Sequence, residues 1–160
     1  RHEEVHLINA TANHDESASA WLKESFAIYY ENHPRVFVDT SADVYYSMEW
    51  GQVSIFAHHG HKRNTSTIET VLASKFRELI GRTKYSYAHL GHLHSTEVKE
   101  GNLMLIERHR TLAAPDAYAA SGGWMSGRSG SVPTYHRDFG EISRVTIPFG
   151  MIDPQCGDEK

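Results

Sequence analysis

Three histidine groups follow one another along this chain: Asn13-His14-Asp15, His58-His59-Gly60-His61 and Gly91-His92-Leu93-His94, each placed just after an apolar run. An Asn side-chain oxygen together with imidazole nitrogens is a donor set that cages a transition metal, and a metal cage implies hydrolytic chemistry. The chain holds 12 histidines. His14, His58, His59, His61, His89, His92 and His94 lie in or beside the three groups. At this Gly and His content, chance supplies Gly-His-x-His about 0.07 times, so its occurrence beside two further groups is a strong signal.

The spacing says how each group would work. His92 and His94 are two residues apart. On an extended segment both point to one side, and a turn splays them onto two different ions. Gly60 lets the backbone turn sharply and approach an ion or phosphate. The His58-His59 pair either supplies a ligand or merely caps a strand end. His61 is a further ligand, a substrate contact or a solvated loop residue. Lys62, Arg63, Arg108 and Arg110 are the nearest cations, and each reads more readily as a solvated charge than as a phosphate contact. His89, three residues before His92, reads as a satisfied histidine and not a ligand. His2, His6, His33, His109 and His136 match no motif.

The elements that must position these groups can be read from periodicity. Residues 5–10 form a short strand feeding the first group. Asp15-Glu16-Ser17 opens a helix, with Trp21, Leu22, Phe26, Tyr29 and Tyr30 at packing spacing, and Asn32-His33-Pro34 stops it. Residues 36–38 make a short buried strand, and residues 44–50 and 53–57 a hairpin around Gly51-Gln52. Ser66 and Glu69 have capping-box spacing. Ile68, Val71, Leu72, Phe76, Leu79 and Ile80 mark the apolar face of the best helix, which Gly81 ends. Residues 85–90 form a strand delivering the third group, and residues 96–99 and 103–107 a hairpin. Residues 112–120 read as a short helix, 121–133 as a mobile Gly/Ser-rich loop, 141–148 as one more strand and 153–160 as a polar tail. The exposed-looking Trp124 in that loop is either a lid, a partner contact or a ring folded back on the body.

These elements predict an α/β fold with mixed sheets, in one domain over residues 1–150 with a tail at 151–160. Active sites of open α/β sheets lie where strands end and loops begin, as the three groups do here. The bulk numbers agree with a soluble globular chain: 160 residues, 39% hydrophobic, and no apolar run near the ~20 residues a membrane span needs. A net charge of -4 gives no indication of nucleic acid or of an anionic membrane as partner. The single cysteine, Cys156, rules out a disulfide framework within one chain and fits a cytoplasmic, reducing compartment. The charged start, Arg1-His2-Glu3-Glu4, is neither a signal nor a transit peptide.

Over residues 5–110 the three groups resemble the later part of the calcineurin-like metallophosphoesterase superfamily. That family carries, in order, Asp-x-His, Gly-Asp-x-x-Asp, Gly-Asn-His-Asp/Glu, a His-Gly element and Gly-His-x-His. This chain shows the last three, with Ala12 where the family usually has glycine. The first two are absent, so the expectation is an N-terminally truncated domain and an incomplete layered α-β-β-α sandwich. The resemblance implies that Asn13, His59 and His92 hold one metal and His94 the other. It prefers His59 over His58 because the family ligand directly precedes the glycine. It makes His14 the acid that protonates the leaving oxygen, oriented by Asp15, and leaves His58, His61 and Arg63 as candidates for a further ligand or substrate contact.

The activity implied is two-metal hydrolysis of a phosphate ester, with two divalent ions per intact site. Asn oxygen and His nitrogen suit Mn, Fe or Zn over Ca or Mg. Within the superfamily a DNA repair-like exo- or endonuclease is the alternative to a general phosphatase or phosphodiesterase. From another class, the chain would be a non-catalytic scaffold or binding module retaining the fold. Without the two aspartate motifs, this chain is expected to be inactive on its own and to hold at most one metal well. Its exposed sheet edge is expected to favour self-association.

Overall fold

A computed structural model describes residues 2–114, 121–123 and 126–152. In chain order the elements are β1 (Val5–Leu7), α1 (Glu16–Tyr29), β2 (Val36–Val38), β3 (Tyr46–Trp50), β4 (Val53–His58), α2 (Ile68–Lys75), α3 (Arg77–Arg82), β5 (Tyr85–Leu90), β6 (Glu97–Glu100), β7 (Leu105–Arg108), β8 (Ser129–His136) and β9 (Gly140–Pro148), followed by a 3-10 turn at Phe149–Met151. The fold is mixed α/β. A five-stranded sheet in the order β3-β4-β5-β7-β6 forms its centre. β4, β5 and β7 run parallel, and the edge strands β3 and β6 are antiparallel to their neighbours. β1 and β2 make a separate parallel pair, and β8 and β9 an antiparallel ribbon.

Alternation along β5 divides the molecule into layers. Ser86, Ala88 and Leu90 are buried on one face. Ala88 and Leu90 join Phe56, Ile68, Leu72, Leu79, Met104 and Ile106 in one core, so α2 and α3 cover this side. Tyr87 and His89 face the β8–β9 ribbon. The Tyr87 ring packs against that of Tyr135, tilted by 46° with centroids 4.6 Å apart, and its hydroxyl accepts the Glu141 N–H at 2.8 Å. The order is therefore helix, sheet, second sheet, which accounts for three of the four layers expected.

The β3–β4 hairpin falls where Gly51-Gln52 places it. Gly51 has φ +58°, and a Cβ there would sit 2.6 Å from the Arg137 carbonyl, which the Gln52 N–H also meets at 2.6 Å. Several expectations need correction. The first strand stops at Leu7, because Asn9 and Thr11 turn away to bond Ser19 and Tyr46. The single helix over 66–81 is two helices, broken at Phe76 (φ -117°, ψ 33°), whose ring packs on Phe56 at 5.4 Å. Ser66 and Glu69 form no capping box. Asn64 Oδ1 accepts the Ser66 N–H, while Glu69 accepts the Leu103 N–H at 2.6 Å and so ties the helix to the β6–β7 hairpin. Gly81 lies inside α3 and does not end it. Residues 129–133, read as loop, are the first half of β8, because β9 offers them a partner.

The aromatic face of α1 is the largest departure. Trp21, Ile28 and Tyr29 are 74%, 73% and 78% exposed. The buried residues of α1 are Ser19 and Lys23. The Lys23 ammonium donates to Thr11 Oγ1 at 3.1 Å, the Ser41 carbonyl at 3.0 Å and the Tyr46 hydroxyl at 2.6 Å. A buried charge requires such partners, and meeting them turns this side of α1 inward instead of the aromatic one. Of the expected helix over 112–120, residues 112–114 are not helical and 115–120 lie outside the described residues. Trp124 and the tail at 153–160, with Cys156, lie outside them too.

Candidate metal centre

Each histidine group sits at the C-terminal side of a strand, and three devices draw them together. Lys23 pins Thr11, two residues before Asn13. The Gly91 N–H donates to the His59 carbonyl at 3.0 Å, joining the second and third loops. At Gly60 (φ +107°) a Cβ would lie 3.0 Å from the Gly91 carbonyl and 3.2 Å from His92 Cβ, so only glycine allows this approach. The first loop then reaches the second directly: His59 Nε2–H donates to Asn13 Oδ1 at 3.1 Å. The His59 ring is 5.2 Å from that of His92 and 5.4 Å from that of His61, and His61 is 6.4 Å from His92.

Burial lowers the His59 pKa to about 4, assisted by mutual repulsion with His92, His61, His94 and His14. His92 is lowered too, by burial and then by His61, His14 and His94. His14 and His94 are exposed at the margin of this group, near enough for their charges to act on it. A neutral imidazole has the lone pair that a metal needs. The backbone is strained at the same place. His92 has φ +71° and His94 φ +53°, and they are the non-glycine residues with positive φ among those described. A left-handed non-glycine residue costs about 1–2 kcal/mol, and such strain gathers at functional sites.

The donor chemistry fits a divalent transition ion. Two ligands on one six-coordinate ion with bonds of about 2.1 Å lie about 3 Å apart, close to the hydrogen-bonded separation of Asn13 Oδ1 and His59 Nε2, so an ion would enter once the ring proton moves from Nε2 to Nδ1. His61 Nδ1 is buried with no hydrogen-bond partner, and burial lowers the His61 pKa, with Lys62 adding to the shift and Glu16 opposing it. His61 is therefore a better donor than its sequence setting indicated. His58 is a poorer one. Its Nδ1 accepts the Gly60 N–H at 2.8 Å, and burial lowers its pKa to about 4. The neutral ring must carry its proton on Nε2, which leaves no free lone pair. It stacks between Tyr45 at 4.7 Å and His61 at 5.6 Å, as a wall of the site.

No hydrogen bond joins Asp15 to His14; Asp15 is the N-cap residue of α1, without a side-chain capping bond. Lys62 and Arg63 are exposed beside the second loop. Arg108 is occupied by Glu97 at 2.7 Å and by Ser95. Asp39 and Asp43 serve local turns, and Asp43 also holds Lys75 at 2.5 Å.

No family model matches this chain, and no curated protein matches it either. A solved structure of a conserved uncharacterized protein from Streptococcus pneumoniae TIGR4, a predicted phosphoesterase, is similar to it at 12% identity. The similarity covers 90% of this chain and 95% of that one, with a TM-score of 0.38.

A second polar cluster escaped the sequence reading. Among the described residues, His89, Glu107 and His109 form the one group of three or more His, Cys, Asp or Glu residues whose donor atoms all lie within 4.8 Å of one another. Two cavities of about 760 and 510 Å³ open beside it, and neither is lined by a residue of the three motifs. His89 is satisfied, as its sequence setting implied, by His109 Nε2 and the Tyr135 hydroxyl, each at 2.8 Å. The signal for Glu107 and His109 was their two-residue spacing on a strand; the partner across the sheet was invisible without the register.

Proposed function

We propose that this chain belongs to a metal-dependent phosphoesterase, with Asn13, His59 and His92 holding a divalent transition ion and His94 facing a second position. The carrying observation is the approach of Asn13 Oδ1 to His59 Nε2 at 3.1 Å beside His92, from three loops far apart in sequence. A bound Mn, Fe or Zn ion would supply a Lewis acid that polarises a phosphoryl oxygen. Lys62 and Arg63, exposed beside the second loop, draw the substrate's negative charge. His14 holds a ring proton for the departing oxygen. Asn13, His59 and His92 are neutral donors, and an ion held without a carboxylate keeps its charge uncompensated. The chain as it stands is therefore expected to take up at most one ion well at this centre, and to turn over slowly or not at all.

The test pairs binding with turnover. Calorimetric titration with Mn²⁺ is followed by assays on p-nitrophenyl phosphate, its bis-ester and single-stranded DNA. One Mn²⁺ equivalent should bind at this centre and be lost in His59→Ala. Any hydrolysis should fall in His14→Gln while binding persists. Activity on single-stranded DNA alone would select the nuclease alternative. Unchanged binding in His59→Ala would refute the ligand assignment. A second reading, a non-catalytic binding module, is favoured by the exposed Trp21, Ile28 and Tyr29 on α1, since a grouped apolar surface of this kind marks an interaction site. Since the first reading also expects little turnover, what would support the second is binding of another protein chain that is lost in Trp21→Ser with Tyr29→Ser while metal binding is kept.

A further inference from the structure

We propose that His89, Glu107 and His109 form a second transition-metal site, built on the opposite face of the central sheet from the helices. Register alone brings the ligands together. His89 on β5 is the direct partner of Glu107 on β7, and His109 follows Glu107 by two residues and donates its N–H to the Leu90 carbonyl at 2.8 Å. All three side chains therefore leave the sheet on one face. Two imidazoles and a carboxylate suit a borderline ion such as Zn²⁺ or Co²⁺.

The surroundings supply what ligating side chains need. A metal-bound histidine is held by a hydrogen bond from its other ring nitrogen. His89 Nε2 lies 2.8 Å from the Tyr135 hydroxyl, and donation there leaves the Nδ1 lone pair aimed at His109. Glu107 is oriented by Arg144, which Glu141 holds in turn through bonds of 2.8 Å. Burial keeps His89 and His109 neutral. Three protein ligands leave a fourth position, and the two adjoining cavities, which share His109, Arg110, Ser129 and Ser131, give it access to water or a small anion.

Uptake of the ion requires modest movement. His89 Nδ1 and His109 Nε2 are 2.8 Å apart, a hydrogen-bond distance. Two nitrogens on one tetrahedral ion at about 2.0–2.1 Å each stand about 3.3 Å apart. The rings must part by about half an ångström, and His109 moves its proton from Nε2 to Nδ1, which lies 3.6 Å from Glu107 Oε1. Glu107 keeps Arg144 through one oxygen and offers the other.

This site shares no residue with the three-motif centre, so the two assignments stand or fall separately. The probe is Co²⁺, whose visible absorption reports tetrahedral nitrogen and oxygen ligation. In the chain carrying Asn13→Ala, His59→Ala and His92→Ala, one Co²⁺ should still bind with intense visible bands. Adding His109→Gln should weaken that binding by about 100-fold or more. Tyr135→Phe, which keeps the ring and removes the supporting hydroxyl, should weaken it by about 10-fold. A folded triple variant that binds no Co²⁺ overturns the proposal. So does a His109→Gln or Tyr135→Phe chain whose affinity is unchanged. Where His109→Gln fails to fold, the Tyr135→Phe result decides.

Discussion

The left-handed backbone at His92 and His94 gives the sharpest test of whether the third loop is shaped for binding. At an ordinary position glycine is less stable than alanine by about 0.5–1 kcal/mol, because it loses more backbone freedom on folding. At φ +71° and +53° the order should reverse. A Cβ in the left-handed region costs about 1–2 kcal/mol, and histidine, which tolerates that region better than most residues, sits toward the low end. Subtracting the entropic term leaves His92→Gly about 0.5–1 kcal/mol more stable than His92→Ala. The same holds at position 94, and the two positions are close enough to couple. For a chain of this length the double Gly variant should melt about 3–6 °C above the double Ala variant in excess chelator. The measurement is then repeated with Zn²⁺. A ligand at 100 times its dissociation constant stabilises the native state by about 2.7 kcal/mol. The parent chain should gain an increment of that order at saturating metal, less whatever the second cluster contributes. In both double variants the part due to the motif centre should vanish. Alanine variants as stable as glycine variants would refute the strain argument. A metal increment unchanged in both double variants would show that these histidines are placed by folding and not for an ion.

Other perturbations bear on the same architecture. Gly60→Ala puts a Cβ 3.0 Å from the Gly91 carbonyl at φ +107°; denaturant melts should show a loss of about 2 kcal/mol or more, together with weaker Mn²⁺ binding in titration. Lys23→Met keeps the bulk but removes the donor to Thr11, Ser41 and Tyr46; hydrogen exchange should speed up around residues 9–14 and at the start of β3, while β5 and β7 stay protected. For pH, His89 is held at about 4 against an ordinary 6.5. The unfolded chain therefore binds this proton first, and the associated stability is complete above pH 6.5 and lost as pH falls toward 4. Melts in chelator should show a slope of about 1.4 kcal/mol per pH unit near pH 5 from this residue alone, and His89→Gln should flatten it. The exposed face of α1 and the unpaired edges of the β1–β2 pair should make the chain self-associate at high concentration; light scattering that stays monomeric, or is unchanged by Trp21→Ser with Tyr29→Ser, counts against it.

What the sequence made legible follows from how local each signal is. β5 was readable to the residue because its alternation, its flanks and its following Gly-His are all local. The β3–β4 hairpin was readable because Gly51 announces its own turn. The capping box failed because Glu69 has a second suitor, the Leu103 N–H, which sequence spacing cannot show. The α1 face failed for the same kind of reason: Lys23 finds three oxygens contributed by residues 11, 41 and 46, and a buried charge so well satisfied outweighs an aromatic stripe in deciding which side turns inward. The two histidine clusters sharpen the point. The motif histidines announce themselves because they lie at strand ends and in the loops that follow, and in the second and third groups glycine and histidine stand side by side to make the turns. His89, Glu107 and His109 lie within or directly after strands, and their meeting depends on one pairing, His89 opposite Glu107, which a shift of a single residue would abolish. Chemistry written into loops is thus carried by sequence spacing, while chemistry written across strands is carried by register.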